Sequence, residues 1–524
     1  MRRMKKSIGL ALLVTAASAI TACFGKKDGT DANTVLFWSS FGGSYTDVLN
    51  GITAKAAEQT GVSIEHVSQK SYDNILSEMT SAIAMEDYPN LAMGYPDHFA
   101  TYLAADILRP IQSYLTSDIL SDYYPEYMSE NEFYNYDGTS KEYYALPFNK
   151  STELLGYNGV FVDYCAEVLG EEYRTPPQTW AEWETKGPQY NAILQELTAN
   201  SRTLYAIQDN DGTAHDFSFA PAEGKKKLLE FSSENLSQIK LMSWDATDNA
   251  FITLVRQWGG EYTTLPASEM SNPIKRRKGH VRFTAPDVQP TVIECLKFFN
   301  RLNKQGIFGV PAELGDSYSS EAFAKNKVMF MVCSSGGLSY NNTGDAWNRR
   351  FRVAPIPYKD ASHKYVISQG ANICMTDKGN ADDNFKVMRA LTSGELQTAW
   401  CLETGYYPCS KSAAESQAYR DFLSEEKYPA QGVTATRVAY REGSVVNSDH
   451  YMNRAEAWNK FVDPAFVGSS LIRDAVENLF RNVFSEISAG EIEDDSQYIA
   501  EIRAVFTSKI KTSNTIEVEG KWWE

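Results

Sequence analysis

Two residues that could contact a ligand stand at the ends of apolar runs within the first hundred residues. Trp38 ends the apolar run 35–38 and is followed by Ser-Ser-Phe-Gly-Gly, while Asp97 follows the apolar run 91–93. A flat aromatic face can pack on an apolar surface of a ligand, and a carboxylate can accept hydrogen bonds from its polar groups. Trp38 could equally close a hydrophobic core, and Asp97 could equally cap a helix.

Motifs of common catalytic centres were sought and none was found. The sequence has no G-x-S-x-G, no Walker loop, no G-x-G-x-x-G, no H-E-x-x-H and no C-x-x-C. The six His residues are scattered, without a pair at metal-ligand spacing. We therefore expect a protein that is not an enzyme and that needs no cofactor or metal. A glycosidase needs only two carboxylates, so a secreted glycosidase remains an alternative, as does a surface adhesin.

Composition and charge reduce the number of protein classes to which the chain could belong. The chain has 524 residues, of which 43% are hydrophobic, a length that predicts two or three folded domains. It carries 50 Lys and Arg against 67 Asp and Glu, for a formal charge of −17. Nucleic-acid binding requires many phosphate-neutralising cations, so we expect no nucleic-acid partner.

The first residues have the pattern of an export signal. Arg2, Arg3, Lys5 and Lys6 precede an uncharged apolar stretch at 8–22, which is shorter than the roughly 20 residues that span a bilayer. The stretch ends in Ile-Thr-Ala before Cys23. This pattern resembles a bacterial lipoprotein signal, with 1–22 as the signal peptide, Cys23 as the lipidated residue and 23–33 as a flexible tether. An ordinary secretion signal is the alternative. We expect an extracytoplasmic protein anchored to the bacterial membrane.

Hydrophobic periodicity from residue 34 onward alternates between strand and helix. Apolar runs at 35–38 and 91–93, and a segment at 62–65 that alternates like a strand, are separated by segments with helical spacing. This order is typical of a parallel sheet covered by helices, whose ligands bind at the carboxyl ends of the strands. A second block repeats the order: helix 291–302, strands 328–332, 353–355 and 372–375, and helix 384–392. Because no linker separates the two blocks, we expect them to be interleaved.

The ordered motifs resemble a known family. The matching segments are VLFWSSFGG from Val35, KSYDNILSEMTSAIAMEDYPNLAM from Lys70, YALPFNKSTELLGYN from Tyr144, RTPPQTWAEWE from Arg174, FAKNKVMFMVCSSGGL from Phe323, RVAPIPY from Arg352, SQGANICM from Ser368 and ALTSGELQTAWCLETGYYP from Ala390. Together they resemble the extracellular solute-binding proteins of ABC importers, in the carbohydrate-type group with maltodextrin- and glycerol-3-phosphate-binding members.

The resemblance implies a fold and a partner. It implies an α/β, two-lobed periplasmic-binding-protein-like fold (type II) with a hinge and an interlobe ligand cleft. The N-lobe would comprise 34–148 and 366–408, and the C-lobe 149–365 and 409–524. The implied function is to bind a sugar or oligosaccharide by closure of the lobes and to deliver it to the permease subunits of an ABC transporter.

The same resemblance implies further ligand-binding residues. Tyr72 matches the family's cleft tyrosine in "[GS]-x-Y-[DE]", and Trp258 begins a Trp-Gly-Gly segment like the family's C-lobe stacking segment. The segments NKST, SSGG, QGAN and GYYP look closest to glycerol-3-phosphate-binding members, and by position they give Ser151, Ser335, Gly370 and Tyr406.

A phosphate ligand would call for an arginine in the cleft. Arg473 is the candidate, because a guanidinium binds phosphate with two parallel hydrogen bonds. Arg473 facing the cleft would favour a glycerol-3-phosphate or glycerophosphodiester receptor; otherwise it is a surface residue of a helix at 471–480.

Three features remain open from sequence. The basic run 275–278 could contact lipid headgroups or another polyanion, or form a solvated loop. Trp522 and Trp523 could dock on the C-lobe or rest at a membrane surface. Cys401 and Cys409 could form a disulfide, a pairing that spacing alone does not decide.

Overall fold

The computed structural model describes residues 34–209, 212–266, 269, 278–341, 351–425, 434–488 and 494–519. The predicted signal peptide, Cys23, the tether, residues 275–277 of the basic run and the two terminal tryptophans lie outside the described residues.

The strands, in chain order, are β1 (Thr34–Ser39), β2 (Ser63–Ser68), β3 (Leu91–Gly94), β4 (Glu132–Tyr134), β5 (Lys141–Tyr143), β6 (Ala145–Pro147), β7 (Ser151–Asn158), β8 (Thr203–Gln208), β9 (Ala214–Ser218), β10 (Lys226–Glu230), β11 (Met242–Trp244), β12 (Thr263–Thr264), β13 (Gly279–Val281), β14 (Phe308–Gly309), β15 (Phe330–Ser334), β16 (Phe351–Ala354), β17 (Tyr365–Gln369), β18 (Asn372–Met375), β19 (Asn459–Phe461) and β20 (Ile516–Val518).

The α-helices, in the same order, are α1 (Ser44–Thr60), α2 (Tyr72–Ala84), α3 (Pro96–Ala104), α4 (Ser117–Asp122), α5 (Pro125–Met128), α6 (Gly159–Leu169), α7 (Trp180–Ala199), α8 (Thr247–Gln257), α9 (Gln289–Lys304), α10 (Ser319–Ala324), α11 (Leu338–Asn341), α12 (Ala381–Leu391), α13 (Gly394–Thr404), α14 (Lys411–Ala414), α15 (Gln417–Leu423), α16 (Ala435–Val446), α17 (Ser469–Val476), α18 (Leu479–Glu486), α19 (Asp495–Ala504) and α20 (Ser508–Lys511). Short 3-10 turns and one π-turn connect several of these helices.

The first sheet has the strand order β2-β1-β3-β18-β6 and forms the centre of the N-lobe. β1 runs parallel to both β2 and β3, as the alternation of apolar runs and helices predicts. β18 is antiparallel to β3 and β6 and comes from much later in the chain. The carboxyl ends of β1 and β3 therefore meet at one edge of this sheet.

The second sheet has the order β14-β11-β15-β7-β17-β19, with β16 also paired to β7, and forms the centre of the C-lobe. β7 is buried along its whole length and is antiparallel to β15, β16 and β17. A strand covered on both faces has no exposed positions, which explains why the segment from Ser151 lacks alternation; even its carboxylic acid residue, Glu153, is buried.

The chain passes between the lobes at two described places. It leaves the first sheet after β6 and enters the second at β7, where the sequence analysis set the boundary between 148 and 149. It returns between β17 and β18, later than the expected residue 366, because β17 pairs with β7 and β19 of the second sheet. α14 and α15 pack against α13, which itself packs on α1 of the N-lobe, so the N-lobe continues beyond the expected residue 408. The lobe division that we propose is 34–148 with 371–425 for the N-lobe, and 149–369 with the described residues from 434 onward for the C-lobe.

Buried apolar side chains fill both lobes. The largest fully buried side chains include Trp180, Trp183 and Trp244 in the C-lobe and Trp400 in the N-lobe. The cysteines of the described chain are all buried, and none of them forms a disulfide, including Cys401 and Cys409. The helix expected at 471–480 is interrupted and forms α17 and α18 instead.

Candidate functional site

A cavity of about 330 Å³ lies between the two lobes. The N-lobe contributes the start of α2 and the junction of β3 with α3. The C-lobe contributes the start of α8, the segment before α17, and α17 itself. The end of β17, at the passage between the lobes, forms the floor. Among the predicted ligand-binding residues, the structure places four on the wall of this cavity: Tyr72, Asp97, Gly370 and Arg473.

Tyr72 is held at the first position of α2. The Ser71 hydroxyl caps this helix by accepting a hydrogen bond from the backbone N–H of Asn74. The Tyr72 hydroxyl accepts a hydrogen bond of 3.0 Å from the side-chain amide of Asn149, and its ring lies 4.5 Å from the ring of Tyr95, centroid to centroid. Two adjacent tyrosine rings give the cavity an aromatic wall with polar edges.

Asp97 and His98 follow β3 in the first turn of α3. Tyr95 occupies the cap position, and an Asp97 carboxylate oxygen accepts a 3.0 Å hydrogen bond from the backbone N–H of His98. Burial lowers the pKa of His98, which favours the neutral imidazole. Its Nδ1 is buried and finds no hydrogen-bond partner in the part of the chain that the structure describes.

Arg473 reaches the cavity from α17, and its charge is balanced within the C-lobe. Nη1 donates to the Asp248 carboxylate at 2.7 Å and to the side-chain oxygen of Asn249 at 2.8 Å, both at the start of α8. Burial opposes the charged guanidinium, but Asp248 and other nearby acidic groups raise the pKa of Arg473. The guanidinium therefore stays protonated and paired.

Carboxylates outnumber cations on the cavity wall. The aspartates that line it are Asp73, Asp97, Asp248, Asp463 and Asp474. Burial, followed by the carboxylates of Asp73 and Asp248, raises the pKa of Asp474, a direction that reflects a negative local potential. Arg256 pairs with Asp463 at 3.1 Å from behind the wall. Such a surface is suited to hydroxyl donors and is less favourable to an anion.

Gly370 allows two chain passages to touch beneath the cavity. Its φ is +96°, a conformation that favours glycine, and a Cβ at this position would lie 1.8 Å from the backbone oxygen of Asn149. Lys150, which follows Asn149 in the chain, is fully buried. Its ammonium group contacts the Glu130 carboxylate at 2.6 Å and the Gly370 carbonyl oxygen at 2.9 Å. The Lys150 ammonium group therefore joins the two passages through its hydrogen bond to Gly370 and joins them to the N-lobe through its ion pair with Glu130.

Ser151, Ser335 and Tyr406 lie behind the cavity wall. Ser151 is buried in β7 opposite Gln369, and the Ser335 hydroxyl accepts a hydrogen bond of 3.2 Å from the backbone N–H of Thr152. The Tyr406 ring stacks on Trp400 at 5.9 Å. Tyr406 therefore belongs to the aromatic cluster of the N-lobe, whereas the two serines support the passage between the lobes.

Trp38 and Trp258 do not line this cavity. Trp38 pairs with Val67 and Ala92 in the first sheet and packs against the N-lobe core, which agrees with the core alternative. Trp258 follows the last residue of α8, about 15 Å along the helix from Asp248 at ~1.5 Å per residue. Its ring lies 5.2 Å from those of Phe298 and Phe299. Its position at the far end of α8 separates it from the cleft.

Several wall residues were absent from the sequence prediction. Tyr95 stands beside Asp97 at the end of β3, so the strand-end rule could have included it. Asp248 and Asn249 follow β11, whose length of three residues gives too weak a pattern to identify. Tyr262 and Asp463 lie in segments without hydrophobic periodicity and carry no sequence signal.

The described residues contain neither a membrane-spanning helix nor a metal-binding cluster. Within the described ranges, no helix combines the length and the hydrophobicity that a membrane crossing requires. In the same part of the chain, no three His, Cys, Asp or Glu side chains are grouped in a way that could hold a metal ion.

The comparison with protein families identifies the family of this chain. The family model of the bacterial extracellular solute-binding proteins matches residues 51–422. The chain belongs to this family. The expectation of an α/β two-lobed fold is therefore confirmed.

Named relatives of this solute-binding protein are distant in sequence. The "sn-glycerol-3-phosphate-binding periplasmic protein UgpB" of Escherichia coli (strain K12) is 22% identical over 439 residues, covering 82% of this chain and 83% of that protein. The structure of UgpB from Mycobacterium tuberculosis in complex with glycerophosphocholine has a TM-score of 0.60 at 16% identity and covers 91% of this chain and 98% of that one. The ABC substrate-binding protein Lmo0181 from Listeria monocytogenes, in complex with cycloalternan, has a TM-score of 0.59 at 12% identity, with coverages of 90% and 97%.

Proposed function

We propose that this chain is the solute receptor of an ABC importer and that it captures a sugar or oligosaccharide between its lobes. The observation that carries the proposal is the interlobe cavity, which combines the Tyr72 and Tyr95 rings with hydroxyl acceptors from both lobes. Aromatic faces suit the C–H surface of a sugar ring, and aspartate oxygens suit its hydroxyls. The chain would act as a receptor without a catalytic step and would pass its ligand to the permease subunits.

Hinge closure supplies the mechanism. A ligand in the cavity contacts Asp97 in the N-lobe and Asp248 in the C-lobe only when the lobes are together. It therefore binds the closed arrangement more tightly than the open one and shifts the population toward closure. The permease would recognise the closed pair of lobes.

The electrostatics of the cavity favour a neutral ligand over a phosphate. Arg473 is the one arginine or lysine among the described residues that line this cavity, and it is already paired with Asp248. A phosphate dianion would have to compete for that guanidinium close to Asp97 and Asp474. Uncharged hydroxyls avoid this repulsion.

A glycerol-3-phosphate or glycerophosphodiester ligand is the second candidate. The position of Arg473 on the cavity wall favours this candidate, because an arginine that faces the cleft is expected of a phosphate receptor. Two relatives also bind such ligands: UgpB of Escherichia coli is an sn-glycerol-3-phosphate-binding protein, and UgpB of Mycobacterium tuberculosis was solved in complex with glycerophosphocholine.

A thermal-shift screen of the purified protein tests both candidates. The panel contains mono-, di- and oligosaccharides, polyols, glycerol-3-phosphate and glycerophosphocholine; a ligand at a hundred times its Kd adds about 2.7 kcal/mol of stability. Stabilisation by neutral sugars is the expected result. Stabilisation only by the phosphate compounds, lost in Arg473→Ala, would establish the second candidate instead. No stabilisation, or release of a cleaved glycan, would contradict the receptor proposal.

We also propose that the chain is a lipoprotein attached through Cys23. The support is the order of basic residues, apolar stretch, small residues and cysteine at the start of the sequence. More than one acyl chain would give stable attachment to the membrane, since a single chain binds only marginally. Membrane fractionation tests this: wild-type protein should sediment with membranes and Cys23→Ser should not. A Cys23→Ser protein that stays with the membranes would contradict lipid attachment.

A further inference from the structure

A lysine of the C-lobe is hydrogen-bonded to a tyrosine of the N-lobe beside the passage between the lobes. Lys460 lies in β19, and its Nζ donates a hydrogen bond of 2.8 Å to the hydroxyl of Tyr127 in α5. The same nitrogen donates to the side-chain oxygen of Asn447 at 2.9 Å and lies 3.8 Å from the sulfur of Met452, both in the C-lobe. Because Tyr127 is the hydrogen-bonding partner from the N-lobe, separation of the lobes would take it away from Lys460.

Two ammonium groups share one carboxylate at this place. One oxygen of Glu130 pairs with Lys150 at 2.6 Å, and its other oxygen accepts a hydrogen bond of 2.6 Å from the Ser368 hydroxyl. Both oxygens of this buried carboxylate are therefore engaged. The Tyr127 ring lies 5.6 Å from the Lys150 nitrogen and 4.9 Å from the Lys460 nitrogen, so the two cations contact the same aromatic ring. Closure of the lobes thus brings Lys460 toward a second positive charge.

No carboxylate of the described residues pairs with Lys460. Its hydrogen-bond acceptors in that part of the chain, Tyr127 and Asn447, are neutral. The other ionisable groups around its nitrogen are Glu130, Lys150, Glu126 and Tyr407, whose ring lies at 5.7 Å. Burial lowers the pKa of Lys460 from an ordinary 10.5 to about 7, and the repulsion from Lys150 acts in the same direction. The closed arrangement of the lobes therefore disfavours the charged form of this side chain.

We propose that Lys460 couples closure of the lobes to pH, because the lobes close more readily over the neutral amine than over the charged ammonium group. This inference rests on the proposed function, since it concerns the hinge motion that captures the ligand, and it adds a regulator to that motion. In the open arrangement water solvates the ammonium group. Closure replaces that water by Tyr127 and brings Lys150 near, so the Lys460 ammonium group releases a proton to the solvent and becomes an amine.

The direction of the pH dependence follows from the two pKa values of Lys460. The pKa is about 7 with the lobes together and returns toward an ordinary 10.5 when they separate. Between these values the open form holds one proton more than the closed form, so a rise in pH favours closure. Below about pH 7 the group is protonated in both forms, and the dependence ends. Above that pH we expect the ratio of closed to open molecules to rise by up to about tenfold per pH unit.

Small-angle X-ray scattering of the ligand-free full chain tests the inference. Hinge opening moves the two lobes apart, so the radius of gyration reports the fraction of open molecules. Between about pH 6 and pH 9 we expect a radius that is constant up to about pH 7 and decreases above it. A radius that stays constant over the whole range would overturn the inference.

Three variants isolate the charge of Lys460. Lys460→Met is neutral at every pH and should be as compact at about pH 6 as the wild type is at about pH 9. Lys460→Arg keeps its positive charge throughout this range and should stay as extended as the wild type at the lower pH. Lys55→Met, the matched control, removes an exposed lysine of α1 and should keep the wild-type profile.

The comparison of the variants also separates Lys460 from another group that titrates in this range. Burial raises the pKa of Glu153 to about 8, but this residue lies inside the C-lobe in β7 and is unchanged in all three variants. If Lys460→Met and Lys460→Arg keep the wild-type pH profile, the inference is wrong. That result would leave the proposed function intact, because the thermal-shift screen tests sugar binding separately.

Discussion

Arg473 and Asp248 form an ion pair of 2.7 Å inside the C-lobe. This pair determines the charge that a ligand meets in the interlobe cavity of about 330 Å³. The two residues come from α17 and α8, which pack against each other and are separated by more than two hundred residues of chain. The pairing leaves the carboxylates of Asp73, Asp97 and Asp474 as the dominant local charge. The C-lobe thus presents the Arg473 guanidinium to the cavity with its charge already balanced by Asp248.

Removal of the Asp248 charge should change the ligand preference. In Asp248→Asn the Arg473 guanidinium loses its anionic partner, so we expect the affinity for glycerol-3-phosphate to rise about tenfold at low salt. Titration calorimetry of wild type and variant measures the change. Glu58→Gln, on the exposed face of α1, removes an equal charge far from the cavity and should have no effect. If glycerol-3-phosphate binds wild type tightly and Asp248→Asn weakens it, the electrostatic argument for a neutral ligand is wrong.

Substitution of Gly370 should destabilise the passage between the lobes. Gly370→Ala brings a Cβ to 1.8 Å from the Asn149 oxygen in addition to the strain of a positive φ, so we expect a loss of more than about 3 kcal/mol of unfolding free energy. Gly224→Ala is the control for φ alone, because Gly224 has a φ of +77° with no atom within 4 Å of its Cβ position. The control should lose only about 1–2 kcal/mol. Urea denaturation measures both, and equal losses would show that the contact with Asn149 is readily relieved.

The ion pair of Lys150 with Glu130 should be costly to break from one side. Both side chains are almost completely buried, so Lys150→Met leaves an uncompensated carboxylate and should reduce stability by about 3–5 kcal/mol. The double variant Lys150→Met, Glu130→Gln removes both charges and should regain most of the loss. Lys386→Met, which breaks a solvent-exposed pair with Asp383, should leave stability nearly unchanged. A double variant as unstable as the single one would contradict this account.

Glu153 should make stability depend on pH. It lies in β7, where it accepts a hydrogen bond of 2.9 Å from the Trp244 indole, and burial raises its pKa from an ordinary 4.5 to about 8. The folded protein therefore holds a proton that the unfolded chain has lost between these two pH values. Because of this, the stability that Glu153 contributes is fully present below pH 4.5 and is lost as the pH rises to about 8.

Glu153→Gln provides the measurement. We expect the wild-type free energy of unfolding to fall relative to that of Glu153→Gln by about 1.4 kcal/mol per pH unit across this window. Urea denaturation at pH values from 5 to 9 gives the slope. Glu65→Gln, at an exposed position of β2, should parallel the wild type at every pH. A constant difference between wild type and Glu153→Gln would show that the carboxyl ionises normally.

Most of the fold could be predicted because its signals are local. Each strand of the first parallel set is an apolar or alternating segment followed by a helix of regular spacing, and the expected strand 372–375 coincides with β18. The position of the return passage could not be read in this way. The apolar pair Val366-Ile367 would look the same in either sheet, and only its pairing with β7 and β19 assigns it to the C-lobe.

The cleft could be predicted only in part. Asp97 follows a recognisable strand, Tyr72 and Gly370 lie in segments that resemble the family's motifs, and Arg473 is the arginine that a phosphate ligand would call for. Trp258 resembled a stacking residue because of the two glycines that follow it, yet the direction of α8 carries it away from the cavity. The lining of the cavity depends on which segments of the two lobes meet, and local sequence does not contain that information.

The interleaving of the sheets also sets the order in which the chain can fold. β18 lies between β3 and β6, so the first sheet stays open until residue 375 has been synthesised. β7 likewise waits for β15 to β17, which follow it by about two hundred residues. Contacts this distant in sequence form slowly, and the incomplete chain exposes unpaired strand edges. Both lobes therefore complete their sheets only after most of the chain has been synthesised.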